Sequence, residues 1–439
     1  MYSEISSNPS GTEEEWARSV LDQDASSSAY RQLKSKLTKK LINNLFLTDP
    51  NEAQFNSYAK AYLNGRKLVY AVNILSRTGA RAAAKILAEK AFRLADKYTL
   101  SFLALESLQH LWNHAVVSMD RKKIRYYSEK YERFNNIRQR EMKATQFVLK
   151  ARQIEIDFQD FDDEEIEELI QEVRSLFPEK GDPDLSVSFI ADIYSAHTIL
   201  LRVRNKNLDV IRYSTEAIEH LKLFHFIPAI FQLSSYMNIL RASISLKEYE
   251  HGGRVKEEIL QLSQNIKGIN KIFIYQRLIE FALQTERYDV ALEIYTQGTS
   301  FPIFKKAPSY LAETFRIFAA YLSILIGEGM LEDPQGTLSR NFRMGKFMNS
   351  KLEITKLKEG QYVGFLLVQI IFFLKRKDFE EVIDRVDSMS SYASRNLKNA
   401  RTIRAYYFTR MIETLPKSDF HLSAVQRKSE RWIKKLVES

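Results

Sequence analysis

The chain has 439 residues, 65 Lys and Arg against 55 Asp and Glu for a formal charge of +10, 45% hydrophobic residues, 14 Gly, 9 Pro and no Cys. The lack of cysteine excludes disulfides, thiolate nucleophiles and cysteine-ligated zinc, and so little Gly and Pro argues against a sandwich or barrel. A chain this long without an obvious linker suits a repeat array, which grows by adding units instead of enlarging one core.

Residues 1–28 are Ser-rich and acidic and are expected to form a flexible arm. Within it, Glu13-Glu14-Glu15-Trp16 leads to Val20 and Leu21 at the spacing of one helix face. No basic start with an apolar run follows, so the arm does not read as a secretory signal, and a cytoplasmic protein is expected. From Ser28 to Leu47, Tyr30, Leu33, Leu37, Leu41 and Leu45 recur at three or four residues among Lys34, Lys36, Lys39 and Lys40. That pattern predicts an amphipathic basic helix, read as a terminal cap with a polar outer face. Asp49-Pro50 is expected to open the next helix, as N-cap and first position.

Hairpins follow. Phe55–Ser76 and Ala80–Lys97 are expected to pair across Arg77-Thr78-Gly79, with Ala82, Ala83, Ala84, Ala88, Ala91 and Ala95 allowing close approach. Leu100–Met119 and Lys122–Phe134 form the next pair. Later turns fall near Asp160–Asp163, Arg204–Asn207, Ser245–Glu248 and Thr285–Arg287. One landmark recurs throughout: a polar turn, then a residue that opens a new apolar stripe. It stands at Ala82, Ile124, Ile166, Leu208, Tyr249, Tyr288 and Phe379, at intervals of 42, 42, 42, 41, 39 and 91 residues. Such self-similarity means stacked helical pairs, each burying its apolar face on the next.

In Tyr275–Tyr295, Leu278, Phe281 and Ala282 precede Thr285-Glu286-Arg287-Tyr288, and Ala291, Leu292 and Tyr295 follow. Here the chain resembles a tetratricopeptide repeat, with a longer period and with the small-residue positions met chiefly at Ala83, Ala217 and Ala291. The resemblance spans roughly residues 50–415. It implies an all-α antiparallel helical-hairpin solenoid of about eight pairs, in a bacterial branch of that superfamily, and it implies no reaction. The expected organisation is an arm over 1–28, repeats with their cap over 29–326, an irregular connection or hinge over 327–360, and basic helical repeats over 361–439. Within the connection, Asn341–Met348 has helical spacing and is basic on one side.

Signals for catalysis are poor. His110 and His114 stand at i, i+4, but no third metal ligand is evident and no glutamate lies between them. The acidic run Asp157–Glu168 lacks the glycine of a calcium loop and reads as a solvated helix start. No phosphate loop or nucleophile elbow occurs. Neither an enzyme nor a cofactor is expected. The longest apolar run, Val363–Leu374, is too short to span a bilayer, so no integral membrane segment is expected.

All of the +10 lies at one end. From Arg340 onward there are 21 cationic and 11 acidic residues, and the preceding 339 residues hold 44 of each sign. Between Asp387 and Glu413 there is no carboxylate, while cations and tyrosines alternate. Arg343, Lys346, Arg395, Lys398, Arg401, Arg404, Tyr407 and Arg410 are therefore the candidate partner-binding residues. A non-catalytic scaffold that binds an acidic protein or peptide is the expected function. Binding of RNA or single-stranded nucleic acid through the same end is the alternative, and a peptide-sensing regulator is a further one.

Overall fold

The structure is a computed structural model that describes residues 1–8, 11–45, 47, 49, 56–157, 161–179, 181–224, 226, 229–246, 249–264, 266, 268–334, 336–349, 361–397 and 403–438. Among the described residues it is all-α, with 21 α-helices and no strand. Two units are distinguished, Met1–Glu141 with Asp182–Ser186, and Met142–Gly181 with Val187–Ser439.

The first unit begins with α1 (Tyr2–Ser7) and α2 (Glu13–Leu21), so the segment expected as an arm is helical. Thr12 and Glu15 cap α2 reciprocally, and Trp16 donates its Nε1–H to the carbonyl of Asn8 at 3.0 Å. Next come α3 (Ser28–Leu45), α4 (Ser57–Arg77), α5 (Arg81–Tyr98), α6 (Ser101–Val117) and the start of α7 (Arg121–Ile156). The helix start expected at Asp49-Pro50 falls where most residues lie outside the description; Asn56 caps α4 instead, accepting from the Ala59 amide at 2.8 Å. Ala84, Ala88, Ala91 and Ala95 line the buried face of α5 and join Val72, Leu103, Leu108 and Phe134 in the core. Ala82 and Ala83 are exposed, so the small contact residue of this hairpin is Ala84 and not Ala83. Arg133 pairs with Asp184 at 2.6 Å and Arg140 with Asp182 at 2.8 Å, which ties the 182–186 segment to this unit.

The second unit continues with α8 (Asp163–Ser175), α9 (Val187–Val203), α10 (Asn207–Leu221), α11 (Ala229–Leu246), α12 (Tyr249–Ser263), α13 (Ile269–Gln284) and α14 (Tyr288–Ser300). After a 3-10 turn at Pro302–Lys306 come α15 (Ser309–Gly327), α16 (Thr337–Asn341), α17 (Met344–Met348), α18 (Gln361–Lys375), α19 (Phe379–Asn396), α20 (Ile403–Ile412) and α21 (Leu422–Glu438). Helices pack chiefly on their neighbours in sequence, as α10 does on α9 and α11, α13 on α14 and α18 on α19. Among the described residues α15 alone is long and apolar enough to cross a membrane; its Leu311, Phe315, Ala319 and Leu322 are instead buried in the core.

One backbone device recurs between paired helices. The second residue after the first helix is left-handed: Gly79 (φ 85°), Met119 (56°), Asn205 (55°), Glu286 (58°) and Lys377 (57°). The next amide then reaches back five residues, Ala80 to Leu75, Lys206 to Leu201 and Arg287 to Ala282 at 2.9 Å, and Asp120 to Ala115 and Asp378 to Phe373 at 3.0 Å. This closure satisfies carbonyls that the helix end would leave unpaired and turns the chain back on itself. The sequence landmarks Ala82, Ile124, Leu208, Tyr288 and Phe379 lie just beyond these closures, and they, with Ile166 and Tyr249, each fall in the first turn of a helix, from α5 to α19.

Two expectations are corrected. The helix expected to stop at Phe134 runs on to Ile156, because no Gly or Pro occurs between Arg121 and Ile156 to end it. The helix expected over Asn341–Met348 is broken, with Phe342 and Arg343 extended between α16 and α17. Phe342 and Phe347 both pack into the core with ring centroids 5.8 Å apart, whereas a continuous helix would set them about 140° apart around its axis. The doubled landmark interval has the same origin, since α16 and α17 stand where one long helix would complete the hairpin begun by α15.

Two glycine substitutions test this account by urea unfolding. At Gly79 an added Cβ meets nothing within 4 Å, so Gly79→Ala isolates the cost of the left-handed backbone, expected at about 1 kcal/mol. At Gly252, in α12, a Cβ would lie 2.3 Å from the buried Phe281 ring, so Gly252→Ala is expected to lose about 1–3 kcal/mol where helix propensity alone would give a gain.

Candidate functional site

The largest described cavity lies in the second unit, an open groove of about 830 Å³ along α14. Its first wall follows from the hairpin closure at Glu286, which starts α14 with Asp289, Glu293, Thr296, Gln297 and Ser300 on one side. These stand at i, i+4, i+7, i+8 and i+11, while Ala291, Ile294 and Gly298 are buried on the other side. The second wall is the connection from Met330 to Thr337. Gly329 is left-handed, the Met330 amide closes on Leu325 at 3.0 Å, and Leu331 and Leu338 anchor the segment beside Ala291, Ala319 and Leu322. Asp333 accepts the amides of Thr337, Leu338 and Ser339 at 3.0, 3.1 and 3.0 Å and so starts α16. Burial pushes the Asp333 carboxyl up, but those amides and the Ser339 hydroxyl outweigh it and hold the group below the ordinary carboxylate range.

Among the described residues, five carboxylates line this groove, those of Glu286, Asp289, Glu293, Glu332 and Asp333, and no Lys or Arg does. Glu286, Asp289, Glu293 and Glu332 are exposed and form no ion pair among the described residues. Tyr288, Leu292, Leu331 and the 59% exposed Met330 supply apolar surface beside them. No group of three His, Asp or Glu is placed to hold a metal ion among the described residues. The negative charge is spread along the groove, which suits an extended cationic ligand better than a single ion.

The residues singled out in the sequence are distributed differently. Arg343 and Lys346 flank and belong to α17, Arg395 lies in the last turn of α19 and Arg404 in the first turn of α20; all four are exposed and without an ion pair among the described residues. Arg395 complements its helix dipole, whereas Arg404 opposes it. Lys398 and Arg401 lie outside the described residues. Arg410 and Tyr407 serve the packing of α20 on α21: Arg410 bonds both oxygens of Glu413 at 2.8 Å, and Tyr407 stacks on Trp432 with centroids 6.2 Å apart. His110 is held by Asn73 at 3.0 Å and Ser76 at 3.4 Å, and burial lowers its pKa. At the acidic run, Asp162 and Glu165 cap α8, while Asp163 pairs with Arg204 and Glu167 with Lys206.

The chain matches no protein-family model, no curated protein and no solved structure. Nothing beyond its own residues assigns a function. Sequence reasoning missed the acidic groove. The polar stripe of α14 was legible, but its opposite wall comes about forty residues later, where only the fold could place it.

Glu413 separates structural charges from available ones. It is 4% exposed and accepts from Arg410, Lys417 and Ser390, the last at 2.7 Å. Burial raises its carboxyl, and these three donors outweigh that and hold it below the ordinary value. Glu413→Gln is expected to cost about 2–4 kcal/mol at pH 7. Because the folded pKa is depressed, that difference is fully present above the unfolded carboxylate value of about 4.3 and is lost as pH falls through the folded pKa. Urea unfolding of both proteins from pH 7 to pH 3 reads it directly.

Proposed function

We propose that this chain is a non-catalytic binding protein, an antiparallel hairpin solenoid of the tetratricopeptide kind, whose groove along α14 receives a basic segment of a partner protein. The observation that carries this reading is the groove itself, lined among the described residues by five carboxylates, no cation, and apolar side chains between them. The recurrence of one closure at five helix pairs supports the solenoid.

Like charges gathered on one helix face cost stability. Asp289 and Glu293 stand at i, i+4, where repulsion of like charges costs about 0.2–0.5 kcal/mol. Such a cost is offset when a cationic side chain docks, with its aliphatic stem on Met330 and Leu292 and its head among the carboxylates. Lys and Arg side chains offer that combination, and a peptide supplies several at once.

A second reading rests on a separate observation, the exposed and unpaired Arg343, Lys346, Arg395 and Arg404. These would engage an acidic protein surface. The two readings make opposite predictions for peptide charge.

Fluorescence anisotropy with labelled Lys- and Arg-rich peptides, and with acidic ones, separates them. Basic peptides are expected to bind, with affinity falling about tenfold or more in Glu293→Lys and falling with salt. Glu293→Gln should weaken binding while raising stability by a few tenths of a kcal/mol, as expected of a residue retained at a cost to the fold. Binding of acidic peptides alone, lost when Arg343, Lys346, Arg395 and Arg404 are changed to Glu, would replace the first reading by the second. A signal obtained only with oligonucleotides would count against both.

A further inference from the structure

The second unit holds another cavity, of about 210 Å³, among the C-terminal part of α7 and helices α9, α10 and α11. It is far smaller than the groove on α14 and of different character. Val148, Ala217, Leu221 and Phe231 line it alongside Arg152, Asp192 and four serines, Ser195, Ser214, Ser234 and Ser235. Its volume admits several waters, or a solute of roughly ten non-hydrogen atoms.

The polar groups here divide into two sets. Tyr194, Thr198 and Asn238 are engaged with the protein: Tyr194 donates to Glu216 at 2.7 Å, Thr198 to the carbonyl of Tyr194 at 2.8 Å, and Asn238 to Thr198 at 3.3 Å. The serines are not. Several helical serines elsewhere in this chain return their hydroxyl to a carbonyl one turn back, as Ser107 does to Leu103 and Ser175 to Glu172 at 2.7 Å, and Ser263 to Leu260 at 2.8 Å. The hydroxyls of Ser195, Ser214, Ser234 and Ser235 form no hydrogen bond among the described residues, although the Ser195 carbonyl accepts from Thr198 at 3.2 Å. Ser214 is 1% exposed and its Oγ is enclosed without a partner among the described residues, a state shared by Ser243 in α11, which does not line the cavity. Leaving a buried hydroxyl unsatisfied costs about 1–3 kcal/mol, so such groups ordinarily have a partner.

The charged pair has the same incomplete character. Asp192 spends Oδ2 on the Thr145 hydroxyl at 2.7 Å and keeps Oδ1 uncommitted. Arg152 is near enough to act on Asp192 electrostatically, yet the two form no ion pair. Burial pushes the Asp192 carboxyl up despite the Thr145 bond, so this carboxylate is short of compensating positive charge.

From these groups we infer that the cavity is a binding site for a small zwitterionic solute of the α-amino acid class, its ammonium on Asp192 Oδ1, its carboxylate toward Arg152, and its polar atoms on the serine hydroxyls. One carboxylate and one guanidinium, held apart, match a net-neutral ligand that carries both charges. Hydroxyls serve because each both donates and accepts. The apolar wall takes a short side chain. This inference is independent of the groove on α14, and either can fail alone.

Isothermal titration of the full chain with individual small amino acids tests it, with glycerol, acetate and ethylamine as controls. Binding of at least one amino acid, with Kd below about 1 mM, is expected, together with about tenfold or greater weakening in Asp192→Asn. Circular dichroism confirms that the variant is folded. Ser214→Ala supplies a second arm: without ligand it should melt no lower than the parent, since its hydroxyl has no partner, and its ligand-induced melting shift should be smaller. The assignment is overturned if no amino acid binds at about 10 mM, if glycerol binds as well as any amino acid, or if Asp192→Asn leaves affinity unchanged. A markedly lower melting point for ligand-free Ser214→Ala would also overturn it, by showing that the hydroxyl serves the fold.

Discussion

Five helix pairs of this protein share one constraint, a left-handed residue just past the first helix that lets the following amide close on the carbonyl five residues back. Where it occurs the next apolar stripe opens within two to five residues, at Ala82, Ile124, Leu208, Tyr288 and Phe379. Only one of the five residues named above is glycine; Met119, Asn205, Glu286 and Lys377 hold the same conformation at a steric cost. The packing that follows must outweigh that cost, and the buried faces of α5, α10 and α14 supply it. Both walls of the acidic groove begin at this device, one at Glu286 and the other at Gly329.

Charge divides into two kinds on this scaffold. Glu413 is enclosed by Arg410, Lys417 and Ser390, and removing any partner would strand the others, so these residues belong to the fold. Glu286, Asp289, Glu293 and Glu332 have no such enclosure and gain nothing structural from standing together. Charges gathered without internal compensation are the ones a partner can use. At the basic end the same distinction sets Arg410, bonded to Glu413, apart from Arg343, Lys346, Arg395 and Arg404, which form no ion pair among the described residues.

Much of the fold was legible because it is local. Helix starts, polar turns and apolar stripes lie within a few residues of one another, so Ala82, Leu208, Tyr288 and Phe379 marked real helix openings. The failures came where a signal was missing or distant. Nothing in Arg121–Ile156 announces where one repeat ends, and the helix simply continues. Phe342 and Phe347 read as helical by spacing, yet the core needs both rings inward and breaks the helix between them. Functional residues were harder still. Counting charge located the basic end, but a sum over residues cannot tell Arg410, paired with Glu413, from Arg404, which forms no ion pair among the described residues. The acidic groove joins two segments about forty residues apart, each with a small acidic excess that only the fold brings together.

The central claim is that unit two receives a cationic peptide along α14, and hydrogen exchange of the full chain with and without a Lys- and Arg-rich peptide tests it most directly. The account predicts that saturating peptide slows amide exchange over Glu286–Ser300 and Met330–Thr337 together, with little change over α17, α19 and α20. Protection confined to those basic helices, or no protection anywhere at saturation, would contradict it.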